Sequence, residues 1–160
     1  MSGALAYAVR DGRLARNVAA DIELPRLSKA ERHYLSHMQV HELADGVGEW
    51  GTLVRFLAYS GLRWGEAAAL RPADVDMANR VVHVRRAVAD VRGSLIFGTP
   101  KTHEQRIVPY PSLLDEGIAT HLATGRRHDL VFSTPDGAVL RGGNFRRGVS
   151  GPAVAQLQLA

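Results

Sequence analysis

At 160 residues the chain is long enough for one domain with a real core, and its 46% hydrophobic content, free of low-complexity stretches, excludes a disordered protein. The absence of cysteine excludes disulfides, thiolate zinc sites and thiol nucleophiles. A formal net charge of +4 is compatible with a nucleic-acid partner, and with no apolar run of membrane length and no secretion-type leader a soluble, cytoplasmic protein is expected.

Residues Gly3 to Val9 are small and apolar, and the run ends at Arg10-Asp11-Gly12, where a glycine stops a helix. Asp21 to Ala30, with Pro25 and mixed charge, reads as a linker. Ser36 is an N-cap with Gln39 as its capping-box partner, and it opens a helix carrying Val40, Leu43 and Ala44 on one face. His33, His37 and His41 fall at i, i+4 and i+8, which suits a metal face or a plain polar helix face. Nothing nearby supplies a further partner for a metal, and the polar face accounts for the spacing.

Leu53, Val54, Leu57 and Ala58 repeat at helical spacing, and the alanines between Trp64 and Leu70 do so again, which makes Ser60-Gly61 a joint between two helices. Arg63 then stands at the start of the second helix, where free backbone N–H groups favour an anion and a planar guanidinium grips a phosphate with two bonds. Arg63 and Glu66 are i and i+3, so Glu66 can hold the guanidinium. A solvated surface pair has the same spacing, but Leu62, Trp64, Ala67 and Leu70 are crowded company for a free surface charge.

Arg71-Pro72-Ala73-Asp74 ends that helix, since proline cannot continue its hydrogen bonds. The period then changes to two: Val82, Val84, Arg86 and Val88 lie on one side, with His83, Arg85 and Ala87 on the other. Val91-Arg92-Gly93-Ser94 turns the chain into Leu95-Ile96-Phe97, and a third run follows at Arg106-Ile107-Val108-Pro109. These predict a three-stranded antiparallel meander. Between the second and third runs a hairpin tip projects Lys101, one of only two lysines, the other being Lys29. A helix from Pro111 to Leu122 turns Leu113, Leu114, Ile118 and Leu122 inward, Leu130-Val131-Phe132 is a short buried strand, and Thr134 to Gly137 is a turn. The fold class is α+β, mostly helical.

The apolar helix followed by Ser60-Gly61-Leu62-Arg63, Glu66 and Leu70 resembles the first conserved box of the tyrosine recombinases, the phage integrase family. Pro100-Lys101-Thr102 followed by Arg106-Ile107-Val108-Pro109 is similar to the family's hairpin, whose lysine reaches into the active site. Arg16-Asn17-Val18-Ala19, Tyr34-Leu35-Ser36, Leu130-Val131-Phe132 and Asn144-Phe145-Arg146-Arg147 fit further family segments. The resemblance implies the N-terminal part of an integrase-type catalytic domain over 33–160, preceded over 1–26 by the last helix of a core-binding domain and a linker. It also implies site-specific recombination or integration of double-stranded DNA through a phosphotyrosine, with no cofactor, by relatives that assemble at full length as tetramers on DNA. On that analogy Arg63 neutralises the phosphate oxygens, Glu66 orients Arg63, and Lys101 donates a proton to the leaving 5′-oxygen. DNA contacts would come from Arg63, Lys101, Arg106, Arg146 and Arg147.

The family's second box, His-x-x-Arg, and its nucleophilic tyrosine would follow Gly148, where the resemblance thins, so the expectation is a catalytic domain truncated before both. Tyr7, Tyr34, Tyr59 and Tyr110 all lie upstream. The strings His83 to Arg86 and His103 to Arg106 are no substitute, because positions i and i+3 of a strand face opposite sides. Three functional readings stand: a truncated integrase that retains DNA binding, a fragment completed in trans by another chain, and an unrelated non-enzymatic basic DNA-binding domain.

Overall fold

The computed structural model describes residues 2–20, 22, 34–99, 105–123 and 130–157. They fall into two compact units, within Met1–Arg32 and within His33–Ala160. In the first unit, helix α1 (Ser2–Arg10) stops where Gly12 takes a left-handed φ of 71°, and Asn17 closes a turn by accepting the Ala19 N–H at 3.0 Å.

The second unit opens with α2 (His37–Gly46), and its capping box forms as the sequence predicts: the Gln39 N–H donates to Ser36 Oγ at 3.3 Å, and the Ser36 N–H donates to Gln39 Oε1 at 2.9 Å. Val40, Leu43 and Ala44 are buried on its inner face. Helix α3 (Gly51–Ser60) packs against α2 and buries Leu53 and Phe56. Phe56 is wholly enclosed, with the rings of Phe132 and Tyr110 at 5.3 and 6.4 Å, and such burial stabilises by about 3 kcal/mol. Gly61, at φ 65°, ends α3 in the left-handed conformation that spares glycine a steric penalty. The short helix α4 (Trp64–Ala67) follows.

The strands are β1 (Val75–Asp76), β2 (Val81–Val84), β3 (Ala87–Val91), β4 (Ser94–Gly98) and β5 (Arg106–Pro109). A three-stranded antiparallel sheet is present, but its members differ from the predicted meander. Its order is β1-β2-β5, whereas β3 and β4 pair only with each other as a separate ribbon. The alternation that runs through Val82 to Val88 is broken at Arg85-Arg86. Both guanidiniums turn to the carboxylate of Asp74, which is 1% exposed and also accepts the Arg71 N–H at 3.0 Å. A buried carboxylate needs such partners, and satisfying it outweighs two residues of strand. With the ribbon peeled away, the third predicted run pairs with β2, placing Val84 opposite Arg106.

A turn of 3-10 helix at Ser112–Leu114 leads into α5 (Asp115–Ala123), where Leu114 and Ile118 are buried as expected while Leu113 is half exposed. Val131 and Phe132 are buried without forming a strand: the Val131 N–H donates to the Leu70 carbonyl at 2.8 Å, and a lone bridge joins Ser133 to Val139. The last helical stretch comprises α6 (Gly142–Phe145), a wider π turn (Arg146–Ser150) and α7 (Gly151–Gln156). Pro152, which has no N–H to donate, follows just after this π turn. Among the described residues no helix is long and apolar enough to cross a membrane.

Candidate functional site

Arg63 leaves the Gly61 joint with extended backbone (φ −69°, ψ 149°) as the N-cap of α4, and Glu66 folds back so that its Oε2 accepts the Arg63 N–H at 2.9 Å. The helix start that the sequence suggested for an anion thus holds the protein's own carboxylate. Two further contacts fix α4. A Cβ on Gly65 would lie 2.3 Å from the Val88 carbonyl oxygen, so only glycine lets the helix lie this close to β3. On the other side Trp64 donates its indole N–H to the Leu140 carbonyl at 3.3 Å and packs on Phe145 at 4.9 Å, which leaves it half-buried.

The Glu66 side chain is 1% exposed and takes two arginines. Arg63 Nη1 donates to Oε1 at 3.0 Å. Arg106, the first residue of β5, forks onto both oxygens, Nη1 to Oε1 at 2.9 Å and Nη2 to Oε2 at 2.7 Å. With the Arg63 N–H this makes four hydrogen bonds, the full acceptor capacity of a carboxylate. Burial alone would push the Glu66 carboxyl up. The Arg106 fork, then the Arg63 backbone and guanidinium, outweigh it and hold the group at about 2 instead of 4.5. The same pairing raises the Arg106 guanidinium further above its ordinary value. Two cations on one anion leave a net charge of +1, and the Arg63 side chain remains 55% exposed.

The structure therefore brings Arg63, Glu66 and Arg106 together. Arg106, expected only as a DNA contact, has its guanidinium committed to Glu66. No local signal shows this, because the partners are 40 residues apart in sequence. Lys101 lies outside the described residues, as do His33 and His103. Arg146 and Arg147 are exposed on the π turn and are not hydrogen-bonded to the cluster, and Arg147 reaches Asn144 at 3.1 Å. His83 sits in β2 while Arg86 lies past its end on Asp74, so that string forms no second phosphate grip.

A second polar chain, unseen in the sequence, runs across α2 and α3. The Tyr59 hydroxyl lies 3.3 Å from His37 Nδ1 and 3.2 Å from His41 Nε2, and Arg55 Nε donates to His41 Nδ1 at 3.2 Å. The two histidines that suggested a metal face meet this tyrosine, and no group of three metal-binding side chains occurs among the described residues. A cleft of about 520 Å³ adjoins this chain, lined in part by His41, Thr52, Arg55, Leu114 and His121, and includes none of the Arg63 cluster.

No family model matches the chain. It is 31% identical over 100 residues to the prophage integrase IntR of Escherichia coli K12, a match covering 62% of this chain and 24% of that protein. Among solved structures, it is similar to the Tn1549 transposon integrase bound to a circular intermediate DNA, with a TM-score of 0.78 at 18% identity, covering 98% of this chain and 55% of that one. It is similar also to a lambda integrase tetramer bound to a Holliday junction, with a TM-score of 0.66 at 13% identity, covering 95% and 43%. The chain thus spans about a quarter of the curated relative and about half of the solved ones. The sequence match is to a prophage integrase, and the fold is that of integrases solved with DNA.

Proposed function

We propose that residues 33–160 form the phosphate-gripping part of a site that cuts and rejoins double-stranded DNA in site-specific recombination or integration. The observation that carries this reading is Arg63: its guanidinium is tethered at one nitrogen to a saturated, buried carboxylate while more than half of the side chain stays open to solvent. A guanidinium held in this way offers its remaining donors to phosphate oxygens and neutralises the charge that builds on the non-bridging oxygens during transfer to a tyrosine. Glu66 orients Arg63. Lys101, five residues before the Arg106 that opens β5, supplies the proton to the leaving 5′-oxygen. Arg146 and Arg147 extend the positive surface along the backbone. The similarity to integrases solved with DNA supports this substrate. Residues 1–26 are read as the end of a core-binding domain with its linker, the whole acting in the cytoplasm.

The test is binding of the full chain to duplex DNA by fluorescence anisotropy at several salt concentrations. Affinity is expected to fall steeply with salt, with little sequence preference, and Arg63→Ala is expected to weaken it about tenfold or more. Affinity that is indifferent to salt, or to Arg63→Ala, would overturn the reading.

A further inference from the structure

Glu66 is the most demanding group in the candidate site, a carboxylate with 1% of its side chain exposed and four donors around it. Two of the four come from Arg106 and only one from the Arg63 guanidinium. Were the Arg106 fork absent, two acceptor positions of a buried anion would stand empty, at a cost several times that of a surface contact. Among the described residues the cation poised to fill them is Arg63, three residues before Glu66 and already touching Oε1. Its guanidinium would swing from a one-point tether to a two-point fork and leave the surface.

We propose that Arg106 is a positioning residue: by saturating Glu66 it keeps Arg63 from collapsing onto that carboxylate and so holds the Arg63 donors outward for phosphate. The inference rests on the phosphate-gripping reading of Arg63. It also assigns a reason for the composition of the cluster, since one arginine on Glu66 would give a closed neutral pair, whereas two leave one of them with charge and donors to spare. Because Arg106 opens β5 and is paired across the sheet with Val84, the setting of Arg63 follows the β2–β5 register.

The experiment is a double-mutant cycle on the full chain, read as affinity for a duplex DNA against salt, with thermal unfolding to verify that each variant is folded. Arg106→Met is expected to weaken binding as much as Arg63→Ala, about tenfold, and the double variant to bind no more weakly than Arg63→Ala alone, with the salt slope reduced by about 1 in all three. Additive losses, with the slope falling by about 2 in the double variant, would show Arg106 to be an independent phosphate contact and overturn the proposal. So would a folded Arg106→Met that binds like the parent. Glu66→Gln combined with Arg106→Met removes the buried charge together with its partner, so it folds where the single variant is strained. It is expected to regain binding relative to Arg106→Met, a rescue that loss of structure alone would not give, and absence of rescue in the folded protein counts against the proposal.

Should Arg63→Ala leave affinity unchanged, the phosphate reading fails. The clamp is then judged by nitrogen-15 NMR of the Arg63 guanidinium without DNA. Arg106→Met is expected to slow its Nη exchange, and unchanged exchange would refute the clamp itself.

Discussion

Gly65 rests directly on the Val88 carbonyl, with room for a hydrogen and not for a methyl group: a Cβ there would stand 2.3 Å from the oxygen. This contact is backbone against backbone, so no side chain can yield. Gly65→Ala is therefore expected to push α4 away from β3, lowering stability by about 1–3 kcal/mol in urea unfolding even though alanine is the better helix former. Because Glu66 is the next residue, DNA affinity should drop as well. A variant as stable as the parent would show that α4 and β3 are not pressed together.

The Glu66 carboxyl gives a pH signature. Its value falls from 4.5 to about 2 on folding, so the folded state holds its proton more weakly than the unfolded chain. The stabilisation is complete above pH 4.5 and is lost as pH falls from 4.5 towards 2, amounting to about 3 kcal/mol. Urea unfolding of the parent and of Glu66→Gln between pH 2.5 and 6 should therefore show a steeper acid loss in the parent. Parallel curves would refute the assignment.

Asp74 is 1% exposed and accepts from Arg85, Arg86 and the Arg71 N–H. Asp74→Ala removes the acceptor shared by two partly exposed arginines and by the Arg71 N–H, and frees the backbone to continue β2 into β3. A loss of about 1–3 kcal/mol is expected in denaturant unfolding, large for a residue outside the candidate site. A loss under 1 kcal/mol would mean that solvent replaces the carboxylate there.

Tyr110 is 4% exposed, and its hydroxyl donates to Met77 Sδ at 3.2 Å, with burial first and Asp115 next raising it above its ordinary value. Tyr59 is held between His37 and His41, and neither tyrosine is hydrogen-bonded to Arg63, Glu66 or Arg106. A suicide DNA substrate is accordingly expected to trap no covalent adduct on either residue in a denaturing gel. A phosphotyrosyl peptide containing Tyr59 or Tyr110 would contradict this arrangement.

What could be read in the sequence was local. The Ser36 cap, the Gly61 stop, the inward face of α2 and the Arg63–Glu66 spacing follow from periods and propensities within one or two turns, and the structure shows them, whereas of the periodic α3 positions only Leu53 is buried, Ala58 is exposed and Phe56 fills the core instead. The strand membership could not be read, because alternation persists through Arg85-Arg86 and only a buried carboxylate from a distant turn reveals why the strand breaks there. The Arg106 fork escaped for a similar reason: a lone arginine at a strand start resembles any surface charge until the sheet brings it to Glu66. Burial of Val131 and Phe132 was legible, but their hydrogen bonds go to Leu70 rather than into a ladder.

The π turn at Arg146–Ser150 sets the angular phase of the last helical stretch. Phe145 and Ala153 are both buried, yet eight residues of regular α-helix would rotate them about 80° apart. A wider turn advances the chain less per residue and brings the two to within about 20° of one another, so one face meets both the Trp64 side of the core and the Leu43–Val47 cluster. The stretch thus behaves as a helix carrying one surplus residue. Removing Gly148 together with Pro152→Ala would restore ordinary pitch with both side chains still facing inward, whereas Pro152→Ala alone would leave the surplus residue in place and keep the turn wide.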